Sequence, residues 1–279
     1  MDTDSRQTQE PYDLLQHTPR QRVSDGAMVP LLADGAEAAY TLVMVLPQLG
    51  DFDSLEYAWW VRRGWNDLAA KQVAVRAIGI GNRTAGQAFC QFTGFPADQL
   101  WVDPSAELHR QLGLYAGLEM AIPGLSPGQR AWVNLMLMCA GIASPGTLAE
   151  VFRGYRGDRN APQLIGDDEV IKAPPLPPLR GRFFQWAGGR GFQRPFELAT
   201  LRLRNMAEVL GNWSTYVPDA AYLTQRGGTF VFDTNHNLVY EHRDRGILDF
   251  AECKSDPLTF LAKLPDRPQS PTPLASHPR

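Results

Sequence analysis

The stretch Thr41–Lys71, TLVMVLPQLGDFDSLEYAWWVRRGWNDLAAK, decides how this chain is read. It divides into a β-rich apolar run, a tight turn around Pro47 and Gly50, and a long helical pattern. A strand that turns directly into a helix places the turn residues at the positive end of the helix dipole. Here those residues are Asp51, Asp53 and Ser54, with no cysteine. Asp53 at the N-cap puts Glu56 at N3, the spacing of a capping box. Each aspartate is stabilised there by about 0.3–1 kcal/mol.

Two further units of the same kind follow. VAVRAIGIG leads into TAGQAFCQFTG, and LWVDP leads into SAELHRQLGL. Strands alternating with helices at this spacing predict βαβ units around a largely parallel or mixed sheet. From Tyr115 to about Arg226 the register breaks into Gly/Pro loops, helical patterns at Gln129–Ile142, Thr147–Tyr155 and Pro195–Gly211, and the Pro-rich APPLPPLRGR, read as a stiff spacer. A hundred residues without a clear strand read as an insertion, set at about 116–222. GGTFVFDTNHNLVYEHRD then predicts a hairpin, with strands Thr229–Asp233 and Leu238–His242, and the helical DPLTFLAK follows it. Residues 1–22 read as a flexible arm, 23–263 as one interrupted domain, and 264–279 as a disordered tail.

Composition narrows the function. With 27 basic against 30 acidic residues, the formal charge of -3 supplies no general attraction to nucleic acid. The densest apolar run, Ala131–Ala143, is shorter than the roughly 18 residues that suggest a bilayer span. The acidic start resembles neither a secretory signal nor a transit peptide, so the expectation is a cytoplasmic protein. Cys90, Cys139 and Cys253 are odd in number and widely spaced, which predicts neither a disulfide framework nor a zinc site.

The blocks VRAIGIG, FCQFTGFP, LWVDPSAELHRQLGL and QRGGTFVFDTNHNLVYEHRD, in that order after the strand, turn and helix, resemble the peroxiredoxin-like branch of the AhpC/TSA group. The resemblance covers about Val23–Ala116 and Leu223–Leu261, and the wording is similar to cyanobacterial members. It implies a thioredoxin-like three-layer α/β sandwich with a mixed central sheet and, here, a mostly helical insertion. It also implies a CxxC pair in the turn before the first long helix. Aligned on Gly50 and Glu56, that pair falls on Asp51 and Ser54. The alternative Pro-x-x-x-Thr-x-x-Cys pattern, laid on Pro47, Asp51 and Ser54, fails at both polar positions. A thiol in the first helical turn becomes a nucleophile because its pKa falls below about 8.5. A carboxylate there is already anionic and reduces nothing.

The expectation is therefore a degenerate site that binds a partner, with no cofactor and no metal. The rival is a thiol enzyme using Cys90, whose default is an apolar side chain packed on the sheet. Cys139 is expected in the core. His109 and His242 are expected at the surface, and Ser54 has no elbow motif or paired base that would make it a nucleophile. GIGNRTAG lacks the third glycine of a dinucleotide fingerprint and reads as a turn into a helix capped near Thr84. WAGGRGFQR reads as a surface loop. Arg153, Arg156 and Arg159 beside the Met-rich helix form the candidate binding surface for a protein or membrane interface, if that helix is not simply an extra core helix, the reading preferred here.

Overall fold

The computed structural model of the chain describes residues 11–33, 38–158, 161–185 and 195–264. Seven strands form one sheet in the order β2-β1-β5-β4-β3-β8-β9. They are β1 (Pro19–Arg22), β2 (Met28–Pro30), β3 (Tyr40–Gln48), β4 (Val73–Ile80), β5 (Leu100–Asp103), β8 (Gly228–Asp233) and β9 (Leu238–Arg243). The three expected βα units supply the parallel centre, β3 beside β4 and β4 beside β5. The hairpin β8–β9 adds antiparallel to β3, with Val43 opposite Phe230. A two-stranded ribbon of β6 (Val170–Ile171) and β7 (Leu179–Arg180) stands apart.

Period-two alternation sorts the core into two halves. Leu42, Met44 and Leu46 of β3 join one hydrophobic cluster with Val231. Val43 and Val45 join the other with Ile78, Trp101, Phe230 and Phe232. The first cluster is closed by α2 (Phe52–Arg63), α3 (Trp65–Ala70) and α4 (Arg83–Thr93), through Tyr57, Trp60, Leu68 and Phe89. The second is closed by α5 (Glu107–Gln111) and by α1, the helical residues 11–17, through Leu108 and Leu15. The result is a three-layer α/β sandwich with a mixed central sheet, consistent with the thioredoxin-like fold.

Four local expectations are corrected. Residues 11–22, read as a loose arm, are seated: Leu15 is buried, and β1 pairs with β5, Gln21 opposite Val102. Polar composition hid one apolar anchor per turn. The helix in GIGNRTAG is capped by Asn82, whose Oδ1 accepts from Ala85 N–H at 2.9 Å, rather than near Thr84. DPLTFLAK forms only a short 3-10 turn, Thr259–Lys263. His109 is fully buried, and its Nε2–H donates to Leu46 O at 2.8 Å. Residues 1–10, the tail from 265, Arg159 and the WAGGRGFQR stretch at 186–194 lie outside the described residues.

The middle of the chain supplies α6 (Pro127–Cys139), α7 (Thr147–Arg156), α8 (Pro195–Gly211) and α9 (Trp213–Tyr216). Ser126 and Gln129 form a capping box at the start of α6. α8 and α9 bury Leu198, Leu201, Val209 and Tyr216 in the same cluster as α2 and α4. A four-member ion chain ties them further. Glu56 of α2 takes both Arg202 nitrogens at 2.8 and 3.0 Å, and Arg202 reaches Glu150 of α7 at 2.9 Å. Glu150 in turn takes Arg153 at 2.6 and 2.7 Å.

Candidate functional site

The turn after β3 starts α2 one residue pair earlier than the capping-box spacing suggested. Asp51, not Asp53, is the N-cap: its Oδ1 accepts from Asp53 N–H at 2.9 Å. Glu56 is drawn away from the expected cap by Arg202, and a bidentate ion pair outweighs one capping bond. Gly50 has no alternative here, because a Cβ would meet Val217 Cγ2 at 2.8 Å and Tyr216 Cβ at 2.9 Å.

Beneath the helix head lies a buried charge cluster. Arg226, with no exposed side-chain surface, donates to Asp51 Oδ2 at 2.6 Å and stands 3.5 Å from Asp53 Oδ2. It also donates to Thr224 O at 3.0 Å and Leu223 O at 3.1 Å. Asp53 Oδ2 accepts from Leu248 N–H at 2.7 Å, and Leu248 sits at φ 60, a left-handed position costly for a leucine. Burial, and then the neighbouring Asp51 carboxylate, hold the Asp53 carboxyl well above the usual carboxylate range, against the pull of Arg226. Ser54 is fully buried, and its Oγ–H donates to Gln48 O at 2.9 Å. Asp51 and Ser54 thus both stand in the first turn of α2, engaged in structural hydrogen bonds.

Above this head the helices α6, α7 and α8 enclose a cavity of about 580 Å³. Its walls are predominantly apolar, with Leu135, Met136, Leu198, Leu203 and Met206 among the lining residues. Trp132 and Trp213, stacked at 5.0 Å, also line it. Asp51, Asp53, Gln48 and Arg202 line it too. A pocket of this size and character suits a drug-sized apolar ligand held by a few polar groups.

The cysteines fall otherwise than expected. Cys139, read as core, is exposed at the C-terminal end of α6 and lines this cavity together with Asp51 and Phe52. The error has a physical source. α6 buries only Ala131, Asn134 and Met138, so its remaining apolar residues face the cavity or solvent. Trp132, Val133 and Met136 are among the exposed ones, and the helix is not the plain core element preferred from sequence. Burial, then Asp51 and Asp53, push the Cys139 thiol up, with Arg226 opposing. Cys90 sits on α4, packed against the core, and burial pushes its thiol up to about 12. It is not among the residues lining the cavity. Cys253 is half-buried beside Ser255 Oγ at 3.3 Å.

Of the three arginines singled out, Arg153 is held by Glu150 and stands 3.7 Å from Asp158, whereas Arg156 is exposed. Among the described residues no group of three His, Cys, Asp or Glu side chains could hold a metal ion. Nor is any described helix long and apolar enough to cross a membrane. Arg226 escaped sequence reasoning. It precedes Gly227 and Gly228 in a stretch noted only for its strand, and nothing local marks an arginine as buried.

A family model described as AhpC/TSA antioxidant enzyme matches residues 61–246, about two thirds of the chain. The chain belongs to the AhpC/TSA family. No curated protein matches it. The matched span of this AhpC/TSA protein runs from Val61 to Gly246 and so takes in units on both sides of 116–222. It starts at Val61, after Asp51 and Ser54, so membership fixes the peroxiredoxin-like thioredoxin fold and leaves the chemistry of the helix head to the residues found there.

Proposed function

We propose that this AhpC/TSA protein works by binding at the head of α2 rather than by dithiol turnover, its two CxxC positions having been replaced by Asp51 and Ser54. One observation carries the reading: Asp51 is committed to the α2 cap and to the fully buried Arg226 at 2.6 Å. Ser54, committed to Gln48 O, accompanies it. Neither side chain can be oxidised and reduced in turn, and burial, then Asp51 and Asp53, raise rather than lower the Cys139 thiol that lines the same cavity. The cavity over the helix head is then the binding site. A protein partner would meet its mouth through Met136, Phe152 and Tyr155, with Arg156 beside them.

The test is turnover of hydrogen peroxide and of insulin disulfides by the purified chain, beside the variants Cys90→Ser, Cys139→Ser and Cys253→Ser. Rates at the level of the buffer for all four proteins are expected. Robust turnover that disappears in any one variant overturns the reading.

A second reading, a thiol enzyme using a non-standard cysteine, is favoured by the exposure of Cys139 within the cavity. It requires Cys139→Ser to abolish turnover. The version built on Cys90 requires the same of Cys90→Ser, from a thiol at about 12.

A further inference from the structure

The rim of the cavity carries more exposed apolar surface than an occupant of the cavity would cover. Trp132 and Met136 of α6, Tyr155 of α7, and Met206 and Leu210 of α8 line the cavity and are all exposed. On α7 the row continues through Phe152 and Leu148. Leu148, Phe152 and Tyr155 stand at i, i+4 and i+7 along one helix face, 48%, 59% and 74% exposed. Leu148 and Phe152 do not line the cavity, so a molecule inside it leaves them in water. At ~150–250 Å² for a large side chain, the exposed fractions of these residues amount to on the order of 700 Å². That exceeds the ~300–600 Å² of the largest patch on a typical monomer and approaches the ~800 Å² that each partner of a standard interface buries.

Charge selects the occupant. From Ala131 to Ala149 the chain carries no Asp, Glu, Lys or Arg. On α7, Glu150 is buried and paired with Arg153 and Arg202, and Arg156 stands exposed at the last position of the helix. A surface of one sign repels its own copy, whereas an uncharged one meets itself without that penalty. Across a two-fold axis perpendicular to α7 the two helices run antiparallel, which brings their apolar rows together and keeps the two Arg156 side chains at opposite ends. An anionic membrane needs several basic residues clustered at the contact. The single exposed arginine of α7, on a chain of formal charge -3, does not supply them.

We infer that the open face of α6, α7 and α8 is the interface of a homodimer, in which a second copy of this chain closes the cavity mouth over Cys139. The inference rests on the reading of this mouth as a protein-docking surface and names the partner.

Sedimentation velocity of the full chain, from low to high micromolar concentration, tests it. The expected species has twice the 31.0 kDa mass of one chain and dissociates on dilution. Phe152→Glu and Tyr155→Glu each place a carboxylate in the apolar seam at a position that is exposed in the single chain. Both should weaken association about tenfold or more with the unfolding midpoint unchanged. Val170→Glu, at an exposed apolar site on the separate β6–β7 ribbon, should leave association intact. DTNB, with the label located by peptide mass spectrometry, should modify Cys139 more slowly in the dimer than in monomeric Phe152→Glu. A monomer at every concentration overturns the inference, and a monomer that cosediments with phosphatidylserine vesicles assigns the face to a membrane instead. Undiminished association of folded Phe152→Glu and Tyr155→Glu places the contact elsewhere and overturns it as well. Equal weakening by Val170→Glu marks unspecific apolar association, and equal labelling rates leave the mouth uncovered; either result overturns it. None of these outcomes depends on peroxide turnover, so failure here is distinct from failure of the binding reading.

Discussion

Arg226 sets the character of the site. A guanidinium with no solvent contact must be paired in several directions, and it is, to two carboxylates and two backbone carbonyls. With that charge in place Asp51 caps α2, and the second carboxyl, Asp53, is left crowded and held toward its protonated form. The other buried titratable group with a clear consequence is His109. Burial lowers its pKa from 6.5 to about 4, so the folded chain keeps the ring neutral while an unfolded chain protonates it. Its contribution is present in full above about pH 6.5. It is lost as pH falls toward about 4, because the unfolded state then binds the additional proton, and the loss is on the order of 3 kcal/mol. Urea unfolding between pH 7 and pH 4.5 is expected to show this decline, and His109→Gln to flatten it. An unchanged slope in that variant would assign the decline to other groups.

At the scale of elements, the decisive feature is how α7 and α8 are fastened to α2. Glu56 and Glu150 are almost wholly buried, and Arg202 is the side chain that neutralises both. Exposed ion pairs are worth little, whereas removing one partner of a buried pair leaves an uncompensated charge. Arg202→Ala is therefore expected to lower stability by about 3 kcal/mol, and Arg202→Ala combined with Glu56→Gln to recover part of that loss. Chemical denaturation of the three proteins measures both. A loss below about 1 kcal/mol would show that apolar packing of α8, through Leu198, Leu201 and Val209, holds the helices without help from the ion chain. α6 is held more lightly. It buries one narrow stripe and leaves Met136 60% exposed, which is why it forms a cavity wall rather than a core layer.

For the molecule as a whole, the middle segment is not an appendage. Leu198, Leu201 and Tyr216 share one hydrophobic cluster with Leu42 and Met44 of β3 and with Phe89 of α4. Apolar surface buried jointly by two segments makes each conditional on the other. The described residues are accordingly expected to unfold in one cooperative transition, with tryptophan fluorescence and far-ultraviolet circular dichroism coincident in urea. Two resolved transitions would instead mark the segment from 116 to 222 as an independent unit. The cavity belongs to this scale too. Its floor comes from the turn after β3, its walls from α6, α7 and α8, and its far side from Leu223, Ile247 and Leu248.

Much of this could be read directly from the chain because it depends on neighbours in sequence. Alternating apolar residues give β3, β4, β5 and the β8–β9 hairpin, and capping chemistry places Asp51 and Ser54 at a helix head. The span of α8 also follows from periodicity alone. Burial of polar and sulfur-bearing side chains does not, since it depends on which distant segments arrive. His109 reads as surface and is fully buried, while Cys139 reads as core and is exposed. Arg226 and Asp51, 175 residues apart, become an ion pair only when the sheet closes β8 against β3. Local patterning determined the elements and their order; only the tertiary structure decided which charges meet and where space is left, because those depend on contacts between segments that carry no local trace of one another.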